Sequence, residues 1–262
     1  MTFPSAVLVS LLLLAPGTAT AAAGTATPAP GDSSPATISP REMRELVARV
    51  VRAYGGRSAL RHVRAYRAEG HIVALRQSRE GPTLRLFQRP DRLRVELHYP
   101  QGPEIRIVAG TRGWRGPEGG LEPAGGPMLD AMLLQAARAA VPWILMDRVA
   151  DLRRIAPREH RGRPLVGVET PVGEGLTLRA WIDPVTGRVE VSQGVLQHHG
   201  MSTLFETVYD DFRPVHGVLF AFREENYASG ARTGYTAIER IELNPRVTPG
   251  DFAPAPAKGR DS

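Results

Sequence analysis

Cysteine is absent from the chain, and that absence excludes several classes of protein at once. A disulfide-stabilised fold, a thiol nucleophile and a zinc or iron–sulfur site built from thiolates all require the missing residue. A bacterial lipoprotein anchor is attached to a cysteine as well, so we expect a mature protein that is not anchored in that way.

Lysine is almost as scarce, since Lys258 is the single lysine among 33 basic residues, which stand against 27 acidic residues and leave a net charge of +6. The arginines are scattered and usually stand beside acids, as in the stretch from Arg92 to Glu96. A nucleic-acid interface needs clustered basic residues, ideally with aromatic residues between them. We therefore expect a solvated surface of mixed charge and no nucleic-acid partner.

Catalytic and metal-binding signatures are missing too. The sequence has no GxSxG elbow, no phosphate loop, no HExxH pair and no GxGxxG before a helix. Adjacent residues on a strand point to opposite faces, so neither His198-His199 nor Asp210-Asp211 favours a metal or acid–base site. We expect no catalytic residue, no metal and no cofactor, and a hydrolase with scattered catalytic residues is the weakest alternative.

No apolar run is long enough to span a bilayer, which needs about 20 residues. The ten residues Ala6–Ala15 form an apolar run that ends at Pro16, and small residues follow. This pattern predicts a Sec signal peptide over 1–23, cleaved near Ala21 or Ala23, although no Lys or Arg precedes the run. We therefore expect a periplasmic protein.

The remaining chain divides by composition. Residues 24–38 and 253–262 are rich in Pro and Ala, the first also in Thr, and they bury too little apolar surface to fold. A disordered linker and a disordered tail are therefore predicted. One folded domain is left over 39–252.

This domain begins with the signals of a helix. The Ser39 hydroxyl can cap a free backbone N–H, and Glu42 completes a capping box. Apolar residues then recur at three- and four-residue spacing as one stripe: Met43, Leu46, Val47, Val50, Val51 and Tyr54. Gly55-Gly56 ends the helix, and a second short helical turn is predicted over 58–63.

From Tyr66 onward the apolar period changes to two, which is typical of half-buried antiparallel strands. About ten such strands are predicted, joined by Gly/Pro turns such as Asp183–Gly187. The predicted fold class is α+β, mainly β. It is a strongly curved antiparallel sheet, an incomplete barrel, wrapped around or lidded by an N-terminal helix and a central helical hairpin.

The central segment Met128–Leu152 breaks this alternation, because it has a helical period and is apolar over most of its circumference. Pro142 divides it into two helices, either as a hinge or simply as a helix break, and both interpretations stay open. A helix of this kind must be buried on several sides or must meet something apolar that is not protein.

The order of helix, strands, helical insert and strands resembles the LolA/LolB-like family of outer-membrane lipoprotein carriers. The local phrases that carry the resemblance are Tyr54-Gly55-Gly56 with Leu60 and Val63, the strand Pro90–Glu96, Gly113-Trp114, Val215–Phe220 through Tyr227, Ile238–Asn244 and Asp251-Phe252. The resemblance covers 39–252. Each phrase alone is moderately specific, and the resemblance rests on their joint order along the chain.

The resemblance implies a half-open barrel that is lidded by the central helices and shelters acyl chains in an apolar cavity, without a cofactor. The expected function is that of a soluble, non-catalytic carrier of lipoprotein acyl chains or another lipid. A periplasmic sensor or regulatory interaction module of the same fold is the alternative.

The expected partners are a lipoprotein or lipid cargo and a transient membrane-protein donor or acceptor, and the protein is expected to be a monomer. The candidate cavity or lid residues are apolar or aromatic side chains of the strands and the central helices. They are Leu93, Val95, Leu97, Ile105, Ile107, Met128, Met132, Leu133, Trp143, Ile144, Leu178, Phe205, Phe220 and Phe222. For aromatic residues such as Trp143, ordinary core packing is the competing interpretation.

Overall fold

The computed structural model describes residues 39–198 and 200–254. The predicted signal peptide (1–23), the predicted linker (24–38) and all but the first two residues of the predicted tail (253–262) lie outside the described residues. The chain divides into two units, Met1–Ser34 and Pro35–Ser262, and every described residue belongs to the second unit.

Four α-helices lie within the described residues. They are α1 (Pro40–Ala53), α2 (Gly56–His62), α3 (Gly126–Ala139) and α4 (Val141–Asp147), with short 3₁₀ helices at Leu75–Gln77 and Pro249–Phe252. The predicted start of α1 is confirmed, since the Ser39 hydroxyl accepts from the Glu42 N–H and the Glu42 carboxylate accepts from the Ser39 N–H. At its end Gly55 has a φ of 101°, and a Cβ there would come within 2.0 Å of the Gly217 carbonyl oxygen, so glycine is required.

The described strands form one antiparallel sheet. They are β1 (Ala65–Ala74), β2 (Arg79–Gln88), β3 (Arg92–Tyr99), β4 (Gly102–Ala109), β5 (Arg112–Gly116), β6 (Glu122–Pro123), β7 (Arg153–His160), β8 (Arg163–Gly173), β9 (Leu176–Ile182), β10 (Val189–His198), β11 (Met201–Val215), β12 (Val218–Ala228) and β13 (Ala231–Leu243). Their order is β6-β5-β4-β3-β2-β1-β13-β12-β11-β10-β9-β8-β7.

The predicted fold class is confirmed, with 13 described strands instead of about ten. The three extra strands are β5, β6 and β7, which lack a strong apolar alternation; β7 also changes register between Ile155 and Arg158, beside Pro157. In the part of the chain that the structure describes, β6 and β7 stand at opposite ends of the sheet and do not pair with each other. The sheet is therefore curved but is not a closed β-barrel, in agreement with the expected incomplete barrel.

The two faces of the sheet pack against different partners. The concave face and helices α1, α3 and α4 form the main core, to which Leu93, Val95 and Leu97 contribute. On the opposite face of β4, Ile105 and Ile107 pack with Leu86 and Phe252 in a separate cluster. Alternation along each strand produces this division, because successive side chains point to opposite faces.

Helices α3 and α4 cover the concave face. Helix α3 approaches β10 closely at Gly194, where a Cβ would lie 2.9 Å from the Leu134 Cβ. The predicted break at Pro142 is confirmed: it lies in the first turn of α4, and the two helices meet at a bend of 79°. Among the described residues, no single helix is long and apolar enough to cross a membrane, and the α3–α4 pair meets that test only when both helices are counted together.

Candidate ligand cavity

A cavity of about 60 Å³ lies where the α3–α4 junction meets the concave face. Its lining comes from the C-terminal end of α1, from α3 and α4 and from six strands, and it has an apolar part and a polar part. The apolar lining is Ala68, Ala139, Val141, Pro142, Trp143, Val189, Phe212, Leu219, Phe220, Ala221, Ile238 and Ile241; the polar lining is Tyr54, Tyr66, Arg85, Arg138, Tyr209 and Glu224. Small-molecule sites usually measure about 300–1,000 Å³, so this cavity has room for a few water molecules and none for a lipid chain.

An aromatic cluster forms one side of the cavity. Tyr66 is at its centre, with ring centroids at 5.3 Å from Phe87, 6.1 Å from Trp143 and 5.4 Å from Phe220. The Trp143 indole N–H donates to the Leu60 carbonyl at 2.9 Å, which fixes the ring of α4 against α2. Rings at these distances pack favourably beyond their burial, so the wall is both apolar and well ordered.

A buried ion pair crosses the polar part. Arg85 donates from Nη1 to Glu224 Oε1 at 2.7 Å and from Nη2 to Oε2 at 2.6 Å. Arg85 is on β2 and Glu224 on β12, with β1 and β13 between them, so the strong curvature of the sheet is what lets the two side chains meet. Burial alone would lower the pKa of Arg85, but the Glu224 carboxylate more than offsets this effect and raises it.

Two tyrosines connect the strands to the end of α3. The Tyr66 hydroxyl donates to the Ala139 carbonyl at 3.2 Å, and the Tyr209 hydroxyl donates to the Arg138 carbonyl at 3.4 Å. The last carbonyls of a helix lack the usual intrahelical partner, so these bonds add hydrogen-bond donors at the end of α3. Burial raises the pKa of Tyr66 to about 12 and also raises that of Tyr209, so both hydroxyls keep their protons and remain donors.

Other polar contacts of α3 and α4 lie at their periphery. Arg89 pairs with Asp147 at 2.7 Å, and Arg148 donates to the Pro171 carbonyl at 2.8 Å. At the start of α3, Arg115 Nη1 donates to the Met128 sulfur at 3.4 Å. The helices are thus held mainly by apolar packing, with a few hydrogen bonds at their ends.

A second concave feature, the outer groove, lies on the opposite face of β10–β12 and has a volume of about 450 Å³. Its charged side chains are paired: Arg158 with Glu206 at 2.6 Å, and Arg161 with Asp210 at 2.8 Å. His160 lines the same groove, and its buried Nε2 has no hydrogen-bond partner among the described residues.

The sequence-predicted site residues fall into four groups. Leu93, Val95, Leu97, Met132, Trp143, Leu178 and Phe222 are buried in the main core, and Met128, Leu133, Ile144 and Phe220 pack against it partly buried. Phe205 packs with Leu134 in a smaller cluster. Ile105 and Ile107 lie on the opposite face, away from the cavity. Trp143 and Phe220 line the cavity itself.

Sequence reasoning missed the polar lining. Arg85 and Glu224 sit at positions of their strands that face the core, where an apolar residue is the usual choice. Arg138 is one of the few charged residues in the apolar central helices. A charge at such a position was the sequence feature that could have identified it as part of the cavity lining. In the described residues, no group of three or more His, Asp or Glu side chains is placed to hold a metal ion.

The fold is similar to those of solved structures. The chain is similar in fold to an outer membrane lipoprotein-sorting protein domain from Vibrio parahaemolyticus, with a TM-score of 0.51 at 10% identity over 82% of this chain and 97% of that one. It is also similar to a LolA superfamily protein from Nitrosomonas europaea, with a TM-score of 0.50 at 10% identity over 80% and 96%. No protein-family model and no curated protein matches the chain. The predicted LolA-like resemblance is confirmed at the level of the fold.

Proposed function

We propose that the protein is an exported, non-catalytic carrier that holds lipoprotein acyl chains or another lipid between its concave face and helices α3 and α4. The observation that carries this proposal is the aromatic cavity sealed by a helix pair whose hold on the sheet is mainly apolar. The likeness to a lipoprotein-sorting domain supports it.

In this proposal the structure represents the closed, unloaded state. A cavity of about 60 Å³ has no room for a chain, so α3 and α4 must move away before cargo enters. The apolar faces of these helices and of the sheet then exchange their mutual contacts for contacts with the ligand. The two helices meet at a bend of 79° beside Pro142, so each covers a different part of the sheet and both must leave it.

Energetics favour partial burial of the cargo. Burying one methylene contributes about 0.8 kcal/mol, so a chain of about 14 methylenes approaches ~11 kcal/mol. Non-covalent affinities saturate near about −18 to −21 kcal/mol, so full burial of several chains would leave no practical release. Displacing α3 and α4 costs part of this gain and keeps binding reversible.

Uptake of an acylated ligand tests the proposal. Delipidated protein is mixed with a diacylated lipopeptide or with the same peptide without acyl chains, and complexes are counted by native mass spectrometry. The expected result is retention of the lipopeptide and not of the bare peptide. Protein that takes up neither, and that carries no lipid when gently purified from its own cell envelope, would refute the carrier function and favour the regulatory alternative.

A cross-link tests whether the helices must move. The chain has no cysteine, so Leu134→Cys with Gly194→Cys introduces one thiol pair, whose Cβ atoms lie near 2.9 Å before a small outward shift of α3 to disulfide distance. The oxidised protein should lose lipopeptide uptake, and reduction of the same sample should restore it. Equal uptake by the oxidised protein, with the bond verified by intact mass, would show that the lid does not need to open.

Export is tested separately with residues 1–38 fused to alkaline phosphatase, which is active only outside the cytoplasm. We expect activity from this fusion and none from a fusion whose apolar run is interrupted by Leu12→Arg. An inactive wild-type fusion would contradict the periplasmic location without bearing on lipid binding.

A further inference from the structure

The charges that line the cavity do not balance. Two guanidinium groups, those of Arg85 and Arg138, face one carboxylate, that of Glu224. The Arg85–Glu224 pair is bidentate, and the side chains are 20% and 9% exposed, so Glu224 is already engaged by its partner. One positive charge in the cavity is left without a matching negative charge.

That charge belongs to Arg138, in the last turn of α3. Its Nη1 donates to the Phe205 carbonyl at 3.0 Å, and its guanidinium stands 5.9 Å from the centre of the Phe205 ring. Among the described residues no carboxylate lies within ion-pair distance of it. Burial lowers the pKa of Arg138, while Tyr209 and Glu224 partly oppose that effect.

An arginine in this place is costly unless something compensates its charge. The C-terminal end of α3 supplies partial negative charge, which stabilises a cation by about 1 kcal/mol or less. Removing a cation from water costs considerably more than that. The remaining donors of the guanidinium form a fork that matches the two oxygens of a carboxylate or phosphate.

We propose that the cargo is an amphiphile with an anionic head group, and that Arg138 binds this head group while the chain lies along the aromatic cluster of Tyr66, Phe87, Trp143 and Phe220. This inference rests on the proposed function and adds the charge of the ligand to it. The head group sits at the α3–α4 junction, beside the Tyr66 and Tyr209 hydroxyls, and the chain takes the space that opens when α3 and α4 move away from the sheet.

The test compares ligands that share one chain and differ in head group. Palmitate and palmitoyl lysophosphatidate are anionic, monopalmitoylglycerol is neutral, and inorganic phosphate carries the charge without a chain. Dissociation constants are measured by displacement of a fluorescent fatty acid. The wild-type protein should prefer both anionic lipids over the neutral one by at least about tenfold, which equals about 1.4 kcal/mol, and should not bind phosphate alone.

Variants assign the preference to Arg138. Arg138→Gln should abolish the anionic preference and leave affinity for monopalmitoylglycerol within about twofold, whereas Arg44→Gln, on the exposed face of α1, should change neither. Glu224→Gln should act in the opposite direction and increase the preference, since it removes the negative charge of the cavity. The comparison of anionic and neutral lipids on the wild-type protein keeps the test decisive where circular dichroism shows that a variant fails to fold.

Failure of the charge assignment and failure of the carrier function give different results in this test. Equal affinity for anionic and neutral lipids, unchanged in Arg138→Gln or Glu224→Gln, would overturn the charge assignment and leave the carrier function intact. Absence of binding to every lipid would overturn the carrier function itself. Binding of inorganic phosphate with the same affinity as the anionic lipids would also overturn the inference, because the site would then recognise an ion and not an amphiphile.

Discussion

Strands β10–β12 carry polar residues on both faces, and the two faces hold their charges differently. In the outer groove, each acid pairs with at least one arginine in contact with solvent; Arg161 and Asp210, for example, are 51% and 45% exposed. In the cavity, beneath the apolar helices, Arg85 pairs with the carboxylate of Glu224, and Arg138 has no carboxylate of its own among the described residues. Tyr209 and Asp210 are neighbours in the chain and yet belong to these two different settings.

The two faces differ in how well water screens their charges. In the outer groove water screens each charge, so an ion pair there contributes little and an unpaired charge costs little. In the cavity, water screens charges only weakly. Removing one partner of an ion pair there leaves the other charge buried and destabilises the protein, and an unmatched charge attracts an anion strongly. The same residue types therefore form solvated ion pairs on one face and, in our proposal, bind an anionic head group on the other.

The largest expected effect comes from breaking the buried pair. Arg85→Met leaves the Glu224 carboxylate unpaired in the core, so we expect a loss of about 3–5 kcal/mol in the free energy of unfolding, measured by urea denaturation. The matched change in the outer groove, Arg161→Met, should cost less than about 1 kcal/mol. Similar losses in both variants would mean that the cavity is as well solvated as the groove.

The double variant Arg85→Met with Glu224→Met sharpens this comparison. Removing both charges should recover most of the stability lost in Arg85→Met, because apolar side chains of similar size avoid the cost of a buried ion. No recovery would indicate that the pair holds the curvature of the sheet through its hydrogen bonds.

A buried acid without a bidentate arginine provides an intermediate case. Burial would raise the pKa of Asp183, but the backbone N–H groups of Thr186 and Val185, together with Arg163, more than offset it and lower the pKa. A folded-state pKa below the unfolded value contributes stability at neutral pH that is lost as the pH falls through the folded pKa.

Asp183→Asn should therefore reduce stability at pH 7 by about 1–3 kcal/mol and flatten the loss of stability below about pH 4, seen in urea titrations at several pH values. The exposed Asp151→Asn is the control and should follow the wild-type profile. A parallel acid profile in Asp183→Asn would contradict the assignment.

The hydroxyl contacts to α3 should produce a smaller effect. Tyr66→Phe and Tyr209→Phe each remove a hydrogen bond to a terminal carbonyl of α3, so each should cost about 0.5–1.5 kcal/mol. Hydrogen exchange of the α3 amides should accelerate, while Tyr235→Phe, whose side chain does not line the cavity, should leave it unchanged. Equal exchange in all three variants would separate these tyrosines from lid closure.

The smallest effect is expected at His160 in the outer groove. Burial, with the nearby Arg161 and Arg158, lowers the pKa of His160, so the unfolded chain binds a proton more readily than the folded protein does. Stability should fall slightly between about pH 7 and pH 5.5, and less so in His160→Gln. The exposed His62→Gln serves as control, and an NMR titration that finds His160 at or above its ordinary pKa would refute this cause.

Much of the fold could be predicted because its signals are local. The capping box at Ser39 and Glu42, the stripe of α1 and the break at Pro142 each depend on residues within a few positions of one another. Strands β5 to β7 could not be predicted from the sequence, because they lack a clear apolar alternation and form through pairing with their neighbours in the sheet.

The candidate site divides in the same way. The sequence predicted the apolar side chains of the core, of which Trp143 and Phe220 reach the cavity, but it assigned Ile105 and Ile107 to the wall although they pack on the other face. Alternation states which residues share a face of one strand, and it does not state which face of the sheet is concave.

The sequence by itself determined the mainly β class, the capped first helix and the broken apolar insert, because helix caps and apolar periods act over single turns and pleats. Only the tertiary structure decided that Arg85 meets Glu224, a carboxylate 139 residues away in the chain, and that Arg138 is left facing them. Such a meeting depends on strand order, register and curvature together, and these follow from the packing of the whole sheet around its central helices.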